Sequence, residues 1–468
     1  MNHSWSNVLK HPLLTKIAAL AAVVALLMIG LSMIEDVVRE RQGWRVMAQT
    51  SVAQSLAGAQ TLLGPMLYSA CVESWDETVG SGAEQRTEEK RREFMLSAMP
   101  ERLHMQSTAL MDERSRGLYK VNAYTLKARL QAQWPGLAAL RPAGTVRNSR
   151  VQCGAPVLML AVRDARGIRA AQVTVDGQAL ALEPGTLHPV YARGLHATLP
   201  EALRARDGAL EAAIDLELVG TERLDIVPLG GSTEVEMQSA WPSPSFAGRF
   251  LPSEREVNAA GFGARWRVSS LASTAQQDIA KGYALCGPPS EGDDARASDT
   301  THCADSFSVS FIDPINPYSL ADRATKYGLL FIALTFVAVG LFELMQRLRV
   351  HPVQYLLAGS ALCSFFLLLV SLSEHLPFGL SYALAATACV LLLTYYASYM
   401  LGGRWRGLPF GAGIALLYGL LYVLLQLEQT ALVIGSVALF AVLAAVMALT
   451  RRVDWYHLSA RRAQGAAA

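Results

Sequence analysis

Glu343 stands out chemically because it follows an apolar run at 328–342, and an ionisable group inside a membrane-length segment is expensive to keep. Two readings compete. It is a functional carboxylate within the membrane, or it sits one turn from the cytoplasmic face and snorkels or pairs with Arg347, its i+4 neighbour. Depth is what makes a charge costly, which favours the second reading. Glu374 and His375 close the next apolar segment. Adjacent residues on a helix do not face one another, so the two read as polar groups at headgroup level rather than an acid/base pair, with His375 a candidate proton sensor. His351, Gln354 and Tyr355 surround Pro352, which is well tolerated in the first turn of a helix. That polar cluster serves equally as a docking hairpin or as a rigid turn.

Between the apolar segments, the run WPSPSF at 241–246 combines Trp241 and Phe246 with two prolines and no charge. Proline is a poor sheet-interior residue, so this stretch should leave a strand and cross a sandwich. Exposed, the two rings would form a recognition patch; as core plugs they would do what large aromatics usually do, and that use is favoured. Of six cysteines, Cys71, Cys153, Cys286 and Cys303 share the polar region. In an oxidising space they allow three pairings, and Cys286 with Cys303 closes the shortest loop. Cys363 and Cys389 lie in apolar spans and read as packing. There is no HExxH, no CxxC pair, no P-loop and no GxSxG, so no metal, cofactor or catalytic set is assigned and the chain reads as non-enzymatic. A glycan-cleaving enzyme would need two carboxylates facing one cleft, and whether Asp164, Asp176 or Glu234 converge is open at this level.

The elements that carry these residues are set by hydropathy. Apolar spans occupy 13–34, 328–345, 353–373, 379–401, 408–425 and 430–449. Each approaches the roughly 20 residues that cross a hydrocarbon core, and each must be helical because lipid offers backbone amides no partner. The first span is too long for a signal peptide core and lacks a small-x-small cleavage site before Glu35, so it reads as an anchor. Lys10, Lys16, Arg347, Arg349, Arg404, Arg406, Arg451, Arg452, Arg461 and Arg462 fall on one side if both termini are cytoplasmic. The short loops on the other side then hold no Lys or Arg. The resulting layout is a cytoplasmic N-terminus at 1–12, an anchor at 13–34, a juxtamembrane helical region at 35–116, a β-rich periplasmic domain at 117–326, a five-helix bundle at 327–449 and a basic tail at 450–468.

Within the polar region, 118–134 alternates apolar and polar residues, as a strand with one buried face does. Similar runs recur at 157–162, 171–175, 212–219, 233–241, 264–270 and 307–312, separated by turn residues such as Asp176 and Gly177. These predict a twisted antiparallel β-sandwich. The charged stretch 84–97 reads as a solvated helix or mobile loop. The net charge of +2 is used up in topology, and no basic stripe with interleaved aromatics points to nucleic acid.

Several short motifs are shared with a known family. They are Gly64 and Pro65, RDARGI at 163–168, GLHA at 194–197, and WPSPSF at 241–246 with Gly248, Leu251 and Pro252. Near the membrane they are Arg323, Lys326 and Tyr327, Phe342 and Glu343, HPVQY at 351–355, SLSEH at 371–375, Gly435 and Ser436, and TRRVDWY at 450–456. On these residues and the one-plus-five span order the chain resembles the CreD-type inner-membrane proteins, also called cell envelope integrity proteins, of Gram-negative bacteria. The polar insert 288–301 and the charged 84–92 depart from the pattern. The resemblance implies a role in envelope stress, with induction by a sensor kinase and response regulator pair that responds to wall damage, and tolerance of β-lactams or colicins. It carries over no catalytic residue. The expectation is an inner-membrane protein supporting envelope integrity, whose periplasmic domain senses or binds a wall, lipid or envelope protein component. The alternative is a transporter or lipid-handling protein with a path through the bundle. Oligomeric state is left open.

Overall fold

The computed structural model describes residues 12–79, 86–204, 208–285, 303–311, 313, 317–346, 350–400, 403–427 and 431–451. The chain divides into two units, Met1–Arg45 with Ile315–Ala468, and Val46–Pro314.

The membrane unit begins with helix α1 (Pro12–Ser55), 44 residues without an internal proline. The apolar core lies in its first half. Further along, Arg39 bridges back to Glu35 at 2.7 Å, an i,i+4 pair on a solvated face. After two short helices of the β unit, α2 (Glu201–Arg204) and α3 (Ala275–Ala280), six more helices follow in the membrane unit. They are α4 (Pro317–Lys326), α5 (Gly328–Gln346), α6 (Pro352–Ser373), α7 (Phe378–Met400), α8 (Arg404–Gln426) and α9 (Ala431–Thr450). Among the described residues, four helical segments are long and apolar enough to cross a membrane: Thr15–Ser55, Pro352–Ser373, Phe378–Met400 and Gly407–Gln426. The span predicted at 328–345 is preceded by α4, and Tyr318–Lys326 with Gly328–Leu341 qualifies as a bent pair at 44°. The last predicted span coincides with α9, whose shorter apolar stretch is Val433–Ala448.

Lipid supplies no hydrophobic drive for helix pairing, so close approach at small residues matters. A Cβ on Gly359 would overlap the Leu27 side chain, and one on Gly328 would meet Leu31 at 2.6 Å, so glycines on α6 and α5 admit α1 to the bundle. The buried cluster around Phe365, Tyr382 and Tyr418 then fills the bundle interior; the Phe365 and Tyr418 rings lie 4.5 Å apart.

The β unit is a sandwich of two sheets. The nine-stranded sheet runs β14 (Ser245–Gly248), β17 (Phe307–Ser310), β12 (Arg223–Ile226), β1 (Gln60–Val79), β6 (Val157–Val162), β10 (Gly194–Thr198) and β9 (Glu183–Pro184), with β2 (Arg86–Ala98) and β5 (Arg150–Cys153) also paired to β1. The eight-stranded sheet runs β15 (Glu254–Asn258), β16 (Gly261–Ser269), β13 (Ser232–Ser239), β3 (Arg102–Arg116), β4 (Tyr119–Trp134), β11 (Leu210–Thr221), β7 (Ile168–Val175) and β8 (Gln178–Leu180). On β4, Leu126, Ala128, Leu130, Ala132 and Trp134 point into the core while Lys127, Arg129, Gln131 and Gln133 point out. All seven strands expected from alternation are present, and 157–162 matches residue for residue.

Two expectations need correction. The region 35–116 is helical only to Ser55; β1, β2 and β3 occupy most of the rest, and the charged stretch 84–97 is largely strand β2, paired residue by residue with β1. The sandwich is also not purely antiparallel, because β1 pairs β12 and β3 pairs β13 in parallel. Both parallel partners come from far downstream, where a long connection can bring a strand back in the same direction.

The RDARGI motif at 163–168 has a local structural reason. Arg166 donates to the carbonyl of Gln54 in the last turn of α1 and is clamped by Asp164 at 2.6 Å, which supplies a cation at a helix C-terminus. Gln60 bridges the same corner, donating to Asp164 O at 2.9 Å and to Val219 O at 3.0 Å. A Cβ on Gly167 would overlap Val219 O and the Gln60 amide, so this position is limited to glycine.

Buried Glu73 on β1 organises the loop before β5. Its carboxylate accepts from Ser149 Oγ at 2.7 Å, Val146 N at 3.0 Å, Thr145 N at 2.6 Å and Thr145 Oγ1 at 2.8 Å, and meets Arg92 at 2.7 Å. Those donors, Ser149 foremost, pull its pKa from the usual 4.5 to about 2. A depressed carboxylate contributes stability that is complete above 4.5 and lost as pH falls toward 2. Glu73→Gln is therefore expected to lower the melting temperature of the full chain at pH 7 and to flatten its decline between those two values. A melting curve whose acid limb is unchanged in the variant would show that Glu73 does not carry this dependence.

Candidate functional site: a buried ion cluster and a polar sheet face

In the membrane unit, Glu343 is 8 % exposed on α5 and is held from two other helices. Lys16 of α1 forms an ion pair with its Oε1, and the Tyr355 hydroxyl of α6 donates to Oε2 at 3.1 Å. The Lys16 ammonium also lies 5.9 Å from the centre of the Tyr355 ring, within cation–π reach. The sequence offered Arg347 as the partner, but Arg347 lies outside the described residues, and the pairing seen is with Lys16. Lys16 had been assigned to topology alone. Its place three residues into the first apolar span was the available signal that it is more than a flanking charge.

The other membrane candidates do not join this cluster. His351 caps α6: its Nδ1 accepts from Val353 N at 3.3 Å while Gln354 accepts from the His351 backbone N–H at 3.0 Å. Of the two uses left open for this cluster, the geometry is that of a rigid turn. Glu374 is the C-cap of α6 and pairs with Arg41 at 3.3 Å, whereas His375 is exposed beside it. Glu374 and His375 thus make no shared site.

In the β unit, WPSPSF leaves β13 in one sheet and enters β14 in the other, as its prolines predicted. Trp241 and Phe246 are both partly buried against the core; Phe246 lies edge-on to Phe262 and Trp266, each at 5.6 Å, and Trp241 Nε1 donates to Ser243 O at 2.9 Å. Asp164, Asp176 and Glu234 serve separate partners: Arg166, the Glu211 backbone N–H and Arg267. The cysteine chemistry includes a bond not singled out beforehand, Cys71–Cys153, between facing residues of β1 and β5. Cys303 is also disulfide-bonded, and Cys286 lies outside the described residues.

The outward face of the eight-stranded sheet holds a polar concavity, an open groove of about 780 Å³. Cross-strand register sets its chemistry. Glu254, Arg265, Glu236, Gln106, Arg129, Asp215 and Gln172 stand in one row across seven strands, because each occupies an outward position of its own strand. Arg265 meets Glu236 at 2.6 Å, and Arg129 grips Asp215 through two hydrogen bonds of 2.7 and 2.8 Å. The Arg129 guanidinium holds Asp215 below its ordinary pKa, and Arg267 does the same for Glu234. The neighbouring row adds Gln238, Thr108, Lys127 and Glu217. Alternation marked these residues as outward-facing, but only register brings them into line. Among the described residues, no cluster of three or more His, Cys, Asp or Glu is arranged to hold a metal ion.

Comparison with known proteins agrees with the layout. A solved M1 zinc metallopeptidase of Deinococcus radiodurans shares 11 % identity over 36 % of this chain and 38 % of its own at a TM-score of 0.20, too low to bear on the fold. The Escherichia coli (strain K12) inner membrane protein CreD is 34 % identical over 453 residues, covering 96 % of this chain and 95 % of that protein. The family described as "Inner membrane protein CreD" matches residues 12–456. With a long apolar N-terminal helix, a large β-rich unit and a set of apolar C-terminal helices, the chain belongs to the CreD family of inner membrane proteins.

Proposed function

We propose that this protein supports cell envelope integrity under wall stress without catalysing a reaction, its β unit lying in the periplasm as a sensor or binding module. The observation that carries the reading is the open groove on the eight-stranded sheet, where amides, the Thr108 hydroxyl and both signs of charge from five strands face outward together. Two of its carboxylates, Asp215 and Glu236, are engaged by arginines, which favours binding over glycan hydrolysis. Cys71–Cys153 supports placement of the β unit in an oxidising compartment, in keeping with cytoplasmic termini. The alternative of a path through the bundle is weakened because Glu343 is already engaged by Lys16 and Tyr355 and because aromatic rings fill the interior.

The ligand on this reading is a wall, lipid or envelope protein component. Arg129→Ala with Gln172→Ala should weaken capture of peptidoglycan fragments, envelope lipids or crosslinked envelope proteins by the full chain, roughly thirtyfold for two contact residues at about 1 kcal/mol each. It should also reduce β-lactam tolerance in cells that lack the parent gene. Full tolerance and full capture by this variant, with tolerance lost on deletion of the β unit, would remove the groove from the function.

A further inference from the structure

We infer that the membrane unit holds an anionic phospholipid in a groove between α7 and α8, a site independent of the sheet groove and of the function proposed for it. The groove encloses about 550 Å³ at the C-terminal end of α7 and the start of α8. It exists because the two helices meet at their smallest residues. A Cβ on Gly407 would overlap Ser398 Oγ, and one on Gly411 would overlap Thr394 Oγ1, so the backbones close on each other there. Larger side chains beside the seam, Leu391 and Leu408 among them, then stand up as walls of a trough open to the bilayer, and an acyl chain fits such a trough.

One end of the trough is polar in a way an acyl chain does not require. Tyr395 and Tyr399 line it one helical turn apart, 64 % and 71 % exposed, with ring centres 5.0 Å apart. A phenol on a lipid-facing surface belongs at headgroup depth, where its hydroxyl can donate. Trp405, 88 % exposed, marks the same depth. The hydroxyls of Thr394 and Ser398 are already committed, donating to Val390 O and Thr394 O on their own helix at 2.6 and 2.8 Å, and the two phenols are hydrogen-bonded to each other, which leaves one phenolic proton of the pair to donate to a headgroup.

Charge selects the headgroup. Helix α8 opens with Arg404, Trp405 and Arg406 directly after Gly403, which lines the groove, and the sequence has no Asp or Glu between Glu374 and Glu428. A stretch of sequence with cations and no carboxylate attracts a headgroup with net negative charge over a zwitterionic one, and each basic residue near the membrane surface is worth about a fivefold preference. A phosphodiester without a compensating amine, its acyl chain lying between the helices, satisfies both halves of the site.

The test is native mass spectrometry of the full chain in detergent with equal amounts of phosphatidylglycerol and phosphatidylethanolamine. Retention of phosphatidylglycerol in preference to phosphatidylethanolamine is expected. Arg404→Gln with Arg406→Gln should reduce that preference by at least about fivefold. Tyr395→Phe with Tyr399→Phe keeps the walls and removes both hydroxyls, and should also lower phosphatidylglycerol retention. Leu391→Trp, which fills the trough from its lipid-facing wall, should lower retention of both lipids. Equal retention of the two lipids by the parent, or parent-like preference in both the arginine and the tyrosine variants, overturns the assignment.

Discussion

Glu343→Ala is expected to destabilise the membrane unit by about 3 to 5 kcal/mol, the cost of leaving a buried charge without its partner. The charge left behind is Lys16, which would keep the Tyr355 ring as a neighbour but lose the carboxylate that faces it. Lys16→Ala should be at least as harmful, because it strands the more deeply buried carboxylate instead. Replacing both with apolar residues of similar size, Lys16→Met with Glu343→Leu, should recover most of the loss, since removing the pair also removes the cost of dehydrating it. Thermal unfolding of the full chain in detergent checks all three. If the double variant is as unstable as the sum of the single ones, the two residues do not act as a pair and the cluster is something other than an ion bridge between helices.

The second large effect is expected from the disulfide. Cys71→Ala with Cys153→Ala should cost the β unit about 4 kcal/mol, because a crosslink between residues 82 apart removes much of the freedom of the unfolded chain. Denaturant unfolding of the parent with and without reductant should show a difference at least as large, because Cys303 is disulfide-bonded too. Reductant that leaves the midpoint of the parent in place would show that the crosslink contributes nothing at equilibrium. Of the two cysteines, Cys71 is the more deeply buried, so alanine is a gentler replacement there than serine, whose hydroxyl would need a partner.

Much of this architecture is readable from periodicity, and the failures have identifiable causes. Strand β4 was legible because its buried face meets the core and its other face meets water, which stamps a period of two on residues 119–134. Strand β1 carries no such stamp. Leu62 and Leu67 face the inter-sheet core while Leu63, Met66 and Tyr68 face a second apolar cluster on the other side of the same sheet, so the segment reads as a continuous apolar run. Its register shift between Leu63 and Met66 sits at the Gly64 and Pro65 step that reads as a chain break. Strand β2 fails for the opposite reason: nine of its thirteen residues are charged or polar and most are exposed, so neither face is marked. In β3 the alternation of Leu103, Met105, Ser107 and Ala109 was present and would have identified the strand.

The candidate sites divide in the same way. The cap at His351 and Gln354 is local, and its residue types at that spacing announce a helix start. The Lys16 and Glu343 pair is not local, since no pattern within a window links positions 327 apart. The row from Glu254 to Gln172 depends on six strand registers being set at once, and register is a property of the assembled sheet.

The distance along the chain between Lys16 and Glu343 also bears on how the protein is made. At translation rates of about 5 to 20 residues per second, the ribosome needs roughly 15 to 65 seconds to pass from the first of these residues to the second. For that interval the nascent anchor carries a lysine in its apolar span with no carboxylate from α5 yet in existence. The anchor must wait near the insertion machinery, or with its ammonium drawn toward the aqueous boundary, until the later helices emerge. The glycines on α5 and α6 that admit α1 to the bundle therefore receive a helix that was inserted long before them.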